Sequence, residues 1–242
     1  MWQILKKEMN SFLSSLIGYL VMVIFLTAMG LFVWVFPQTS VLAYGFADLY
    51  ALFSLAPYVF LFLIPAITMR AFAEERRAGT MELLLTRPLS DWEIILGKYL
   101  ACLGLAVVAL LPTLLYYYSV YQLGLPKGNI DTAAVMGSYI GLFCLAAVFT
   151  AIGIFASSIT ENQIVAFIIA VFVSFILYEG FTSLSQINVW SQAAYTISQL
   201  GIDFHYNALS RGLIDSRNLL YFLSLIVVML YATRTVLRSR KW

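Results

Sequence analysis

Apolar residues run through this chain in long, nearly unbroken stretches, separated by short polar segments. Six of them approach the roughly 20 residues a helix needs to cross a bilayer: 16–36, 49–69, 99–121, 133–156, 164–181 and 219–233. The sixth is the shortest and is expected to continue toward Leu237, with Arg234 reaching back to the interface. Ahead of the first stretch, Trp2, Leu5, Met9 and Phe12 recur at helical spacing, with Lys6, Lys7, Glu8 and Asn10 on the remaining arc. That pattern predicts an amphipathic helix over 2–14 lying in the membrane interface.

Composition narrows the class. Hydrophobic residues make up 62% of the 242 and charged residues 11%, with a mean hydropathy of +0.90. A soluble globule could not bury that much apolar surface, and disorder is excluded for the same reason. Barrel strands alternate apolar and polar residues over short segments, unlike these runs. The expected fold is an all-α polytopic membrane protein: one transmembrane domain over 1–242 with about six transmembrane helices. The run after Lys6 and Lys7 is too long for a cleavable signal, and no small-residue cleavage site follows.

The net charge of +2 says little, but charge placement says more. Alternating the spans puts Lys6, Lys7, Arg70, Arg76, Arg77, Arg87, Lys98, Arg234, Arg238, Arg240 and Lys241 on one side, leaving Lys127, Arg211 and Arg217 on the other. The positive-inside rule then predicts that both termini and the 70–98 segment are cytoplasmic.

Candidate chemistry is sparse within the spans. Glu179 is the one acid in a predicted span, and the single histidine, His205, lies outside the spans. Intramembrane serine or zinc proteolysis, ion-coupled transport and Walker-type nucleotide binding all lack their residues. Cys102 and Cys144 fall in different apolar runs and read as packing residues rather than a disulfide or metal pair. No catalytic, metal or cofactor site is expected, so any energy source lies in a partner.

The segment between the second and third stretches carries the most information: RAFAEERRAGTMELLLTRPLSDWEIILGK, residues 70–98. Gly79-Thr80 can open a helix on which Met81, Leu84 and Leu85 form an apolar stripe, with Glu82 off it. Arg87-Pro88 ends that helix, and Ser90-x-x-Glu93 reads as a capping box starting the next. Either an interfacial helix or a docking helix for a cytoplasmic partner fits this pattern.

Here the chain resembles the permeases of ABC-2 type transporters. Glu74-Glu75, Gly79-Thr80-x-Glu82-x-Leu84-Leu85, Pro88 and Gly97-Lys98 are similar to that family's E-E-x-x-x-G-T-x-E-x-L-L…P…G-K signature. The resemblance implies that 74–98 is a coupling loop contacting a separate cytoplasmic ABC ATPase subunit, which would hold ATP and magnesium. Glu161, in Thr160-Glu161-Asn162-Gln163, resembles a second cytoplasmic contact, although Thr160-x-x-Gln163 also reads as a plain capping box. One such chain would be half a translocation unit, so the resemblance implies a second permease protomer or a related membrane subunit in the bacterial inner membrane. WQILKKEMNSFLSS, FLFLIPAITMR and SSITENQIVAFIIAVF most resemble the gliding-motility permeases within the family. A non-transporting scaffold or mechanotransmitter, driven by an ATPase partner, is the alternative.

The remaining features concern packing and the outer side. Gly137-x-x-x-Gly141 permits close helix approach, while Pro57, Pro65 and Pro112 permit kinks. In the outer segment 182–217, Ile187, Trp190, Ala194, Ile197 and Leu200 share one helical face, which suggests short helices dipping into the membrane. Family resemblance implies a re-entrant pair closing the outer end, with Glu179, Asp203, His205, Arg211 and Asp215 lining or bracing this gate.

Overall fold

The computed structural model describes residues 1–81, 90–187 and 193–239. Among these the chain is helical throughout, with no strand. Six helical segments are long and apolar enough to cross a membrane: Gly18–Val35, Tyr50–Arg77, Asp91–Leu123, Thr132–Ile159, Gln163–Ser185 and Ser216–Ser239.

In chain order the helices are α1 (Trp2–Leu13), α2 (Leu16–Gly30), α3 (Val41–Tyr44), α4 (Tyr50–Thr68), α5 (Ala73–Arg77), α6 (Asp91–Leu110), α7 (Leu114–Leu123), α8 (Thr132–Ile159), α9 (Gln163–Phe175), α10 (Phe181–Ser185), α11 (Ala194–Ser198), α12 (Ile202–Ser210) and α13 (Ser216–Ser239). Wider π turns at Leu31–Val35 and Ile176–Gly180 extend α2 and α9, and a tight turn over Leu111–Thr113, holding Pro112, joins α6 to α7.

Helix α8 is the hub. It packs against α4, α6, α9, α12 and α13, and its side chains from Leu145 to Ile154 are almost all buried. Its small residues allow this. A Cβ on Gly153 would fall on the hydroxyl of Thr68 in α4, and one on Gly137 would strike the Leu209 carbonyl in α12. Gly141 receives the Tyr206 ring. The Gly137-x-x-x-Gly141 pair therefore serves packing inside this chain, where van der Waals contact between backbones replaces the hydrophobic drive available in water.

Helix α1 departs from expectation. Ile4 and Phe12 are buried against the start of α6, and Ile4 sits on Gly97, while Trp2 is 71% exposed. The face turned to protein keeps Met9, on Gly104, and Phe12 of the expected stripe and adds Ile4 and Glu8 in place of Trp2. Glu8 is drawn inward by a buried lysine described below.

The outer segment packs on the rest of the chain through a different face from the one expected to meet the membrane. Ile187 and Leu200 remain exposed, and Trp190 lies outside the described residues. The buried stripe is one helix later, at Ile202, Tyr206 and Leu209 of α12, which presses on the glycine face of α8. The Tyr206 hydroxyl donates to the Phe53 carbonyl at 2.6 Å, tying α12 to α4. The two cysteines are free, with Cys102 buried and Cys144 partly so.

Candidate functional site

The alternating spans give the molecule two ends. Lys6, Lys7, Arg70, Arg76, Arg77, Lys98, Arg234 and Arg238 lie toward one, the basic end; Lys127, Arg211 and Arg217 lie toward the far end.

At the basic end Lys98 is 2% exposed, two turns inside the span-length helix that begins at Asp91. Its Nζ donates to Glu75 Oε1 at 2.8 Å, Glu8 Oε1 at 3.1 Å and the Ala71 carbonyl at 2.6 Å. An ammonium has three N–H donors, and each meets an acceptor. Burying a charge is costly unless it is paired and hydrogen-bonded, and this one is both. The Phe72 ring lies 5.2 Å from Nζ, and Lys7 sits 3.9 Å from both carboxylates at the rim. The cluster joins α1, the turn from α4 into α5 and the first turns of the third span.

Ser157, fully buried near the end of α8, secures the same turn. Its Oγ accepts the backbone N–H groups of Phe72 and Ala73 at 2.9 and 3.1 Å and donates to the Met69 carbonyl at 2.9 Å. These are the orphan donors at the start of α5, which has no capping side chain of its own. At the neighbouring edge Arg238 Nε pairs with Asp91 at 3.2 Å, and Arg234 stacks over Trp92, binding α13 to α6.

The expected coupling residues separate on inspection. Glu74 is exposed and 4.0 Å from Arg70. Glu75 instead turns inward and pairs with Lys98. Gly79 adopts a left-handed φ of 66° and closes α5; Met81, just after Gly79-Thr80, is helical, and the expected helix beyond it lies outside the described residues. The Thr80 amide and hydroxyl both bond the Glu75 carbonyl, completing the stop. Met81 is partly buried against the core. Glu82, Leu84, Leu85, Arg87 and Pro88 lie outside the described residues. The Ser90–Glu93 capping box forms as expected. The Thr160–Gln163 box does not: Asn162 caps α9 by accepting the Ile164 amide, and Glu161 is exposed beside it. Asparagine wins because its short side chain reaches the second amide while Thr160 already accepts the Asn162 amide.

At the far end a partly open cavity of about 350 Å³ lies between the starts of α4 and α8, the π turn after α9, and α12. Asp48, Asp131 and Asp203 line it together with Tyr50, Tyr58 and Tyr178. Glu179 sits at its edge, accepting from the Tyr58 hydroxyl at 3.3 Å. Burial pushes the Asp203 carboxyl above the ordinary aspartate range, offset in part by the Asn207 amide 2.8 Å away. The other proposed gate residues stand apart from this cavity. His205 stacks on Tyr221 at 3.9 Å, donates from Nε2 to the Gln199 carbonyl and meets the Asn218 amide through Nδ1, bracing α12 against α13. Asp215 accepts the Arg217 amide at the start of α13, and Arg211 lines a smaller neighbouring cavity.

Glu8, Ser157, Asp48 and Asp131 escaped the sequence reading. The only local signals were an acid within an apolar-faced helix, a serine pair ending a span, and two aspartates preceding helices.

The comparisons agree with this architecture. The family described as ABC-2 family transporter protein matches residues 43–234, from ahead of the second span to within the sixth. No curated protein matches the chain. The match covers most of the sequence, and the chain belongs to the ABC-2 family of transporter proteins.

Proposed function

We propose that this chain is the membrane subunit of an ATP-driven transporter, moved by a separate cytoplasmic ABC ATPase that docks at the basic end. The observation that carries the reading is the Lys98 cluster, which ties α1, the turn into α5 and the start of the third span through one ammonium. A push on the 74–98 segment would move these elements together. The basic end is taken as cytoplasmic on the positive-inside rule. ATP and magnesium belong to the partner, and this chain contributes no catalytic group.

A second protomer completes the translocation unit in this reading, in a bacterial inner membrane. The similarity of WQILKKEMNSFLSS and SSITENQIVAFIIAVF to gliding-motility permeases supports a role in that process.

The test is association. Leu84→Asp would place a charge on the apolar stripe, and an unpaired carboxylate in a partner's groove costs several kcal/mol. The variant should lose co-purification of the ATPase in detergent while keeping the wild-type elution profile. Full retention of the ATPase would refute docking at this segment.

A further inference from the structure

The far-end cavity has no part in ATPase docking, yet its lining is selective. Its volume of about 350 Å³ falls within the range of small-molecule sites, roughly 300–1,000 Å³. Its charged lining groups are Asp48, Asp131 and Asp203, with no lysine, arginine or histidine among the lining residues. An anion would meet no counter-charge there and three carboxylates.

The acids are held in place. Asp48 Oδ1 accepts the Tyr50 amide at 3.2 Å, and Asp131 Oδ1 accepts the Ala134 amide at 3.0 Å. Asp203 is fixed by Asn207. Asp48 and Asp131 are thus each oriented through one oxygen, while Asp203 also meets the Tyr178 hydroxyl. They are spread around the wall rather than gathered: among the described residues, no three His, Cys, Asp or Glu side chains come close enough to hold a metal ion. A compact inorganic cation has no cage, whereas a larger cation with spread charge could meet several acids at once.

The remaining wall is aromatic. Tyr58 and Tyr178 pack edge to face at 5.8 Å, Tyr206 lies deeper, and Tyr50 stands exposed at the mouth. Tyrosine faces attract cations, more strongly where water is displaced.

We propose that this cavity binds a small organic cation of the alkylammonium class, with Asp203 as its inner counter-ion and Asp48 and Asp131 at its walls. The site requires nothing of the ATPase, so it stands or falls separately from the docking assignment.

The probe is tetraethylammonium, titrated by calorimetry into the full-length chain purified in detergent. Glucose and benzenesulfonate serve as neutral and anionic controls. Tetraethylammonium should bind saturably, and the two controls should give no heat. Asp203→Asn should weaken binding by at least about tenfold, as loss of a half-buried charge partner does. Asp48→Asn, at an exposed position away from the packed interior, should weaken it by a smaller factor without altering thermal unfolding. Absence of tetraethylammonium binding to the wild-type chain would overturn the proposal. So would binding indifferent to both substitutions, or preferential binding of glucose or benzenesulfonate.

Discussion

Lys98 shows how one residue can set the geometry of a whole end. Its ammonium is buried with Glu8 and Glu75, each about 15% exposed at the side chain, so solvent screening is weak and the pairing is worth more than a surface bridge. Lys98→Met should therefore destabilise the protein by about 3–5 kcal/mol, because two carboxylates would be left facing each other without their cation. Thermal unfolding in detergent measures this. Adding Glu8→Gln and Glu75→Gln to the same variant should recover most of the loss, since a neutral cluster no longer carries stranded charge. Equal instability of single and triple variants would mean that the side chains matter for shape and not for charge. Half of this site was legible in the sequence. Lys98 and Glu75 stand out as charges at the edge of apolar runs, but their partnership with Glu8, 90 positions before Lys98, is a tertiary fact that no local spacing encodes. For that reason Glu75 read as a surface contact and Glu8 as part of a solvated arc.

Elements near the basic end are held by side chains reaching across, and Ser157 is the clearest case. One hydroxyl serves two amides and one carbonyl of the 69–73 turn. Ser157→Ala would strand those buried amides at about 1–3 kcal/mol each, and should raise hydrogen exchange at Phe72 and Ala73 while leaving the far end unchanged. A uniform rise across the chain would show instead that α8 itself had loosened. Element type was readable because it depends on period and length: the Ser90 capping box and the six spans follow from sequence pattern alone. The face an element buries was less readable. Helix α1 adds Ile4 and Glu8 to its protein-facing side, Glu8 toward Lys98, and α12 buries Tyr206 where the glycines opposite it on α8 admit its ring. In both cases the deciding residue lies on another helix.

At the scale of the whole molecule, the two ends differ in chemistry. The basic end is charged, paired and fastened by Lys98, Ser157 and the Asp91–Arg238 bridge, whereas the far end holds an acidic, tyrosine-walled cavity. Family membership and the six spans supply the frame; the central claim is that the basic end is the one that meets the ATPase. Ala78 and Leu213 are exposed at opposite ends and suit a direct comparison. Single cysteines at these positions, in a chain carrying Cys102→Ala and Cys144→Ala, should be tested for short-reach crosslinking to the ATPase in membranes. The account predicts a permease–ATPase adduct from position 78 and none from position 213. An adduct from 213, or from neither position while the two proteins still co-purify, would contradict it.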